Sequence, residues 1–105
     1  MADAIVVRYR TKPESAAENE RLVQDVYAEL AATRPAGFRY VTLRLEDGVS
    51  FVHVALHEPG AANPLPASPA FGRFQAGLAE RLEEGPLPAP AAVVGHYGFG
   101  DTAAP

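Results

Sequence analysis

The residues from Phe38 to His57, FRYVTLRLEDGVSFVHVALH, admit few folds. Two runs rich in Val, Leu, Phe and Tyr flank Asp47-Gly48, a dipeptide that supplies the positive backbone angles of a two-residue hairpin turn. With those residues as the loop, Glu46 faces Val49. The pairs going outward are Leu45 with Ser50, Arg44 with Phe51, Leu43 with Val52, Thr42 with His53, Val41 with Val54 and Tyr40 with Ala55. Directly opposed residues share a sheet face. One face therefore collects Val41, Leu43, Leu45, Val52, Val54 and Leu56 and is predicted to be the core. The other collects Phe38, Tyr40, Thr42, Arg44, Phe51, His53 and His57. That mixture suits neither a dry core nor open water, and it is predicted to be the functional face.

The flanking segments complete a pattern. Ala4 to Arg10 is β-rich, with Ile5, Val7 and Tyr9 on one face, and its apolar first half predicts a central strand covered on both sides. Lys12-Pro13 ends it. Ser15 and Glu18 have the spacing of a capping box, and Leu22, Val23, Val26, Tyr27, Leu30 and Ala31 form the apolar stripe of a helix that Arg34-Pro35-Ala36-Gly37 terminates. After the hairpin, EPGAANPLPASP is too proline-rich for a helix or a central strand and is predicted to be a long ordered loop or a lid. Ser68-Pro69 starts a second helix whose stripe is Phe71, Phe74, Leu78 and Leu82 and whose stop is Gly85-Pro86. PLPAPA then reads as a spacer, Ala92 to Phe99 as a fourth strand, and residues 101–105 as a frayed tail beyond a single domain over 1–100.

The order β-α-β-β-α-β predicts an α+β, ferredoxin-like fold, with a four-stranded antiparallel sheet and two helices on one face. Strands 1 and 3 are placed centrally. The uncovered face is assigned to Tyr40, Thr42, Arg44, Phe51, His53, Ala55 and His57, which is too aromatic to leave wet, so a second copy of the chain is expected to cover it.

Composition removes several function classes. The 105 residues suit one domain, and 48% hydrophobic with 21% charged residues is ordinary for a globular protein. No apolar run approaches the roughly 20 residues of a membrane span, and the amino terminus lacks a basic segment followed by an apolar one, so cytoplasmic residence is expected. The absence of cysteine excludes disulfides and thiolate chemistry. A net charge of −4 with scattered basic residues disfavours nucleic acid. His53 and His57 stand four residues apart on one strand, roughly 13 Å, too far to chelate one ion, so neither a metal nor another cofactor is predicted.

Three stretches carry a resemblance: the strand IVVRYRTKP leading into an acidic helix, the hairpin, and SPAFGRFQAGLAERL with its SP-x-F start. Over nearly its whole length the chain resembles the antibiotic-biosynthesis-monooxygenase type of domain within the dimeric α+β barrel superfamily. The resemblance implies two ferredoxin-like sheets packed face to face as a homodimer, with a small-ligand cavity in each subunit. It also implies a wide range of chemistry, from cofactor-free oxygenation of polyketide or quinol substrates to haem degradation, cyclisation and isomerisation. The chain has no tryptophan, and NPLPASPAF lacks a histidine before the second helix, so the Asn-Trp-His set of the haem-degrading branch cannot be assembled. No catalytic set carries over residue by residue.

His53 is the candidate catalytic residue, because a neutral imidazole in mid-strand could take a proton from a bound phenol or enol. Alternatively, it hydrogen-bonds Thr42 or a carbonyl of a partner chain. Tyr40, Thr42, Arg44, Phe51 and His57 are the candidate substrate-binding residues. Arg44 and Arg8 could hold an anionic oxygen or form intersubunit ion pairs with Glu46 or Asp47, and Tyr40 could bond a ligand or pack in an interface. Two functions follow. One is a homodimer that binds an aromatic or polyketide-like molecule and acts as a cofactor-independent monooxygenase or isomerase. The other is a non-catalytic accessory dimer whose polar sheet face is interface alone. A cavity reaching His53 discriminates between them.

Overall fold

The computed structural model describes residues 3–98, so the proposed tail and Phe99 lie outside the described residues. Strand β1 (Asp3–Thr11) runs through a 3-10 turn, Pro13–Ser15, into helix α1 (Ala16–Thr33). Strands β2 (Phe38–Arg44) and β3 (Ser50–His57) form the hairpin, and helix α2 (Pro69–Ala76), a short helix α3 (Leu78–Arg81) and strand β4 (Leu82–Ala92) follow. The sheet is antiparallel in the order β2-β3-β1-β4, with β1 and β3 central as the sequence predicts. This is the ferredoxin-like α+β arrangement.

The hairpin register agrees pair by pair with the sequence, including Tyr40 opposite Ala55, Thr42 opposite His53 and Arg44 opposite Phe51. Its turn differs. Leu45 N–H donates to Ser50 O and Gly48 N–H to Leu45 O, so Glu46 to Val49 form a four-residue loop in which Gly48 alone has positive φ, +79°. Asp47 secures the loop from its side chain, accepting from the Val49 and Ser50 amides and the Ser50 hydroxyl. Those bonds, led by that of the Ser50 hydroxyl, hold its carboxyl below the usual range.

The two faces are the reverse of the sequence assignment. Phe51 and His53 are 2% and 6% exposed beneath the helices, whereas Leu43 is 49% exposed on the aliphatic face and Val41 and Leu45 are exposed beside it. The core is Tyr9, Val23, Val26, Phe51, Leu65, Ala70 and Phe74, with Tyr27, Phe38, Tyr40 and Phe71 packed against it. Two physical reasons favour this. Which face the helices cover follows from the right-handedness of the crossovers, which hydrophobicity does not encode. The long aromatic rings also fill the gap between sheet and helices better than Val or Leu, and their polar tips satisfy one another there.

Three further elements differ from expectation. Ser15 is already helical (φ −103°, ψ −4°) and makes no side-chain cap, because the 3-10 turn runs straight into α1 and removes the extended geometry a capping box needs. By contrast, the Ser68 hydroxyl caps α2 as predicted, accepting from Phe71 N–H at 3.0 Å. The second helix is shorter than predicted, with Leu82 opening β4, and the fourth strand is the proline-rich stretch itself. Residues 93–98 are not in a strand, and His96 lies exposed after β4.

A strand with prolines at 86, 88 and 90 is possible because they alternate. Pro88 and Pro90 sit opposite Val7 and Ile5 in pairs that exchange no ladder bonds, while Leu87, Ala89 and Ala91 face Arg8, Val6 and Ala4 and supply the N–H groups. The missing donors all fall on the outer edge. Gly85, at φ +95°, makes the bulge that starts this run, and a Cβ there would lie 2.9 Å from Arg8 O and from Tyr9 Cβ.

Candidate functional site

Strand parity brings three rings to one place. On the helix side of the sheet β1 presents Tyr9, β3 presents His53 and β2 presents Tyr40, because Val7 pairs with His53 and Tyr40 with Ala55. The Tyr9 hydroxyl lies 2.7 Å from His53 Nε2, and the Tyr40 hydroxyl lies 2.6 Å from Nδ1. The imidazole is thus clamped between two phenols. Thr42 Oγ1 stands 3.3 Å from Nδ1 and 2.8 Å from the Tyr27 hydroxyl. On the other side Asn19, fully buried on α1, donates from Nδ2 to the Tyr9 hydroxyl at 2.9 Å. Arg81 of α3 donates from Nε to Asn19 Oδ1 at 3.1 Å and from Nη2 to Phe74 O at 2.7 Å, with its guanidinium over the Phe74 ring.

Burial sets the charge states. Removal from water pushes the His53 pKa down to about 4 and the Tyr9 pKa up to about 12, and it raises those of Tyr40 and Tyr27 as well. Near neutral pH the ring and the phenols are all uncharged.

A cavity of about 230 Å³ opens against this cluster. Ile5, Val7, Ala55, Phe71, Phe74, Leu78 and Pro86 give it an apolar wall, and Tyr9, Tyr40 and His53 supply polar groups on one side. The loop predicted as a lid covers it through Asn63, Leu65 and Pro66, and Leu65 is anchored in the core. Few polar groups in a mostly apolar concavity are the ordinary composition of a small-molecule site, but this one is smaller than the roughly 300–1,000 Å³ of drug-sized sites. It suits one or two rings.

No protein-family description matches the sequence, and no curated protein does. Solved structures do match. An antibiotic-biosynthesis-monooxygenase-like protein of Chloroflexus aurantiacus superposes with a TM-score of 0.72 at 12% identity, over 95% of this chain and 100% of that one. Rv0793 of Mycobacterium tuberculosis gives 0.70 at 17% identity over 91% and 98%. SnoaB of Streptomyces nogalater, a cofactor-independent oxygenase, gives 0.64 at 20% identity over 92% and 97%. This chain has the antibiotic-biosynthesis-monooxygenase fold. At such identities the likeness is one of fold, and within that monooxygenase-type fold the side chains of this chain must speak for its chemistry.

The sequence candidates divide between two concavities. His53 and Tyr40 line the cavity described above. Thr42, Arg44 and Phe51 line a second one with Glu20, Val23, Gln24 and Tyr27, on the other side of the clamped imidazole. There Arg44 pairs with Glu20 at 2.9 Å, bonds Gly48 O and stacks on Phe51. His57 lines neither, and its Nδ1 is buried without a hydrogen-bond partner among the described residues. Glu58 pairs with Arg39 at 3.4 Å. Because the polar face lies under the helices, the expectation that it forms a dimer interface is overturned.

Tyr9, Asn19 and Arg81 were not among the candidates. Each left a signal. Tyr9 shares strand parity with Ile5 and Val7, Asn19 falls on the buried stripe of α1 four residues before Val23, and Arg81 falls on that of the second helical segment seven residues after Phe74. A polar residue at a core position of a helix is the informative observation, more so than a charged one on its surface.

Proposed function

We propose that this protein binds a small aromatic molecule in the cavity between the sheet and α2, and oxygenates or isomerises it without a cofactor. One observation carries this: a mostly apolar cavity, with Asn63 and Gln75 also in its wall, is lined by two tyrosines whose hydroxyls are joined through one imidazole. Such a group can hold a ring oxygen and move a proton from it, and a deprotonated, electron-rich ring can react with dioxygen without a metal or flavin. That SnoaB, which shares the fold, is a cofactor-independent oxygenase supports the choice.

The depressed basicity of His53 narrows the substrate. Against an ordinary phenol near pKa 10, a base near 4 faces a gap of about 6 units, or about 8 kcal/mol. The proton donor is therefore a strongly acidic hydroxyl, such as that of a hydroxyquinone. The volume selects one or two rings over a longer polyketide skeleton. The same low basicity, with both ring nitrogens already engaged, favours a second reading in which the cavity only binds its ligand.

The second copy of the chain belongs, in this proposal, on the aliphatic face, where Val41, Leu43, Leu45 and Leu87 are exposed on one side of the sheet. A face of this kind can meet a copy of itself across a two-fold axis, and burying the half of each Leu that is still exposed would stabilise by about 1 kcal/mol. The homodimer through the sheet face is thus retained with the other side inward.

Hydroxynaphthoquinones tested by thermal shift and calorimetry decide the binding, since a ligand of the folded state raises its stability. Binding is expected in the parent and lost in Ala55→Leu, which fills the cavity. If no probe raises the midpoint, or if Ala55→Leu binds equally well, the cavity is not a ligand site. Oxygen uptake that disappears in Tyr40→Phe separates catalysis from binding alone.

A further inference from the structure

The hydrogen-bond chain that runs from Arg81 to Tyr40 has a direction. Arginine has only donors, so the Asn19 atom that meets Arg81 Nε must be the carbonyl oxygen, and its amide must face Tyr9. The Tyr9 oxygen accordingly accepts a hydrogen bond from Asn19. Its own hydroxyl proton then has His53 Nε2 as its acceptor at 2.7 Å. If Nε2 carried a proton instead, Tyr9 would receive two donors and its own buried proton would be stranded, which costs about as much as a lost hydrogen bond. Nε2 is therefore the lone-pair nitrogen. A neutral imidazole has one N–H, which falls to Nδ1 and donates to the Tyr40 oxygen at 2.6 Å. Tyr40, having accepted from the ring, directs its own proton elsewhere.

We propose that Arg81, acting through Asn19 and Tyr9, fixes His53 as its Nδ1–H tautomer, so that Tyr40 offers its hydroxyl proton to the cavity and selects a ligand bearing a carbonyl-type acceptor oxygen. Arg81 and Asn19 are positioning residues here. They are buried at 7% and 0% exposure, and every bond in the relay joins named atoms at 2.6 to 3.1 Å. The protein group that competes for the Tyr40 proton is the neighbouring Thr42 hydroxyl, itself bonded to Tyr27. A carbonyl oxygen in the cavity replaces that contact, whereas a purely hydrocarbon ring does not. The ligand part rests on the proposed cavity function, but the tautomer does not.

The two parts have separate tests. In protein labelled with ¹⁵N in the histidine rings, with His53 assigned by its loss in His53→Gln, long-range ¹H–¹⁵N correlation distinguishes the protonated ring nitrogen from the bare one. The expected result is a proton on Nδ1. A proton on Nε2 in the parent protein overturns the assignment. Asn19→Asp keeps size and the contact to Arg81 but replaces the donor to Tyr9 by an acceptor, so the Tyr9 proton turns away from the ring and His53 is expected to switch to Nε2–H. An unchanged tautomer there overturns the relay. Arg81→Gln, whose amide can donate or accept, frees Asn19 to flip and is expected to give both tautomers; a single Nδ1–H population there shows that Arg81 does not set the direction.

For the ligand, 1,4-naphthoquinone is a suitable probe because it has acceptors only and the chain has no cysteine to react with it. Its affinity is expected to fall about tenfold or more in Asn19→Asp, with that of naphthalene unchanged. An equal loss for both overturns the selection by Tyr40. Failure of both probes to bind the parent overturns the cavity reading and the selection together, with the tautomer still decided by the spectrum.

Discussion

Folding this chain holds His53 as a weak base, and that makes stability fall with acid in a defined window. The ring is 6% exposed, and removal from water lowers its pKa from 6.5 to about 4. Above pH 6.5 it is neutral in both folded and unfolded chains, so it contributes no pH dependence. Between pH 6.5 and about 4 the unfolded chain takes up a proton that the folded chain refuses, and the equilibrium moves toward unfolding. The full shift of about 2.5 units corresponds to about 3 kcal/mol, lost progressively as the pH falls through that window. Urea unfolding at half-unit steps from pH 7.5 to 4.5 measures it, and the same series on His53→Gln removes the contribution of other groups by difference. The parent is expected to lose about 2 kcal/mol more than the variant over that range. Parallel curves would show that the ring accepts its proton in the folded state and that the clamp between Tyr9 and Tyr40 does not keep it neutral.

Gly85→Ala forces a Cβ to within 2.9 Å of backbone and side-chain atoms at φ +95°, and is expected to cost about 1–3 kcal/mol, or roughly 4–20 °C in midpoint, by thermal denaturation. Leu43→Asp places a charge on the exposed aliphatic face, at its β2 side. Sedimentation velocity is expected to show a dimer for the parent at micromolar concentration and a monomer with unchanged circular dichroism for the variant; a monomeric parent refutes the dimer. Ser68→Ala deletes the one side-chain cap of α2 and is expected to cost about 1 kcal/mol in urea unfolding.

Element order, hairpin pairing, the central position of β1 and β3, and the start of α2 were all legible, because each depends on local chemistry: turn residues, alternation, a capping serine. Sidedness was not. Both hairpin faces are apolar enough to be buried, and the choice between Leu43 and Phe51 rests on crossover handedness. The proline-rich strand was misread because proline is excluded only where an N–H is required, and that depends on which side the neighbouring strand lies. His53 and Tyr40 could be picked out from their strand register. Tyr9, Asn19 and Arg81 required knowing that α1 and α3 converge on β1, since they meet across 10 and 62 residues of chain.

The alternating prolines of β4 also limit how this molecule can associate. Across residues 86–90 the outer edge of the sheet offers carbonyls without a single N–H, so a strand laid alongside could donate to them but would find no N–H for its own carbonyls. The sheet is thereby sealed against lengthening on that side. In the proposed dimer, where a second copy covers the aliphatic face, lengthening of the sheet is confined to the proline-free β2 edge, so the same three rings that looked like a spacer remove one of the two edges from open-ended stacking.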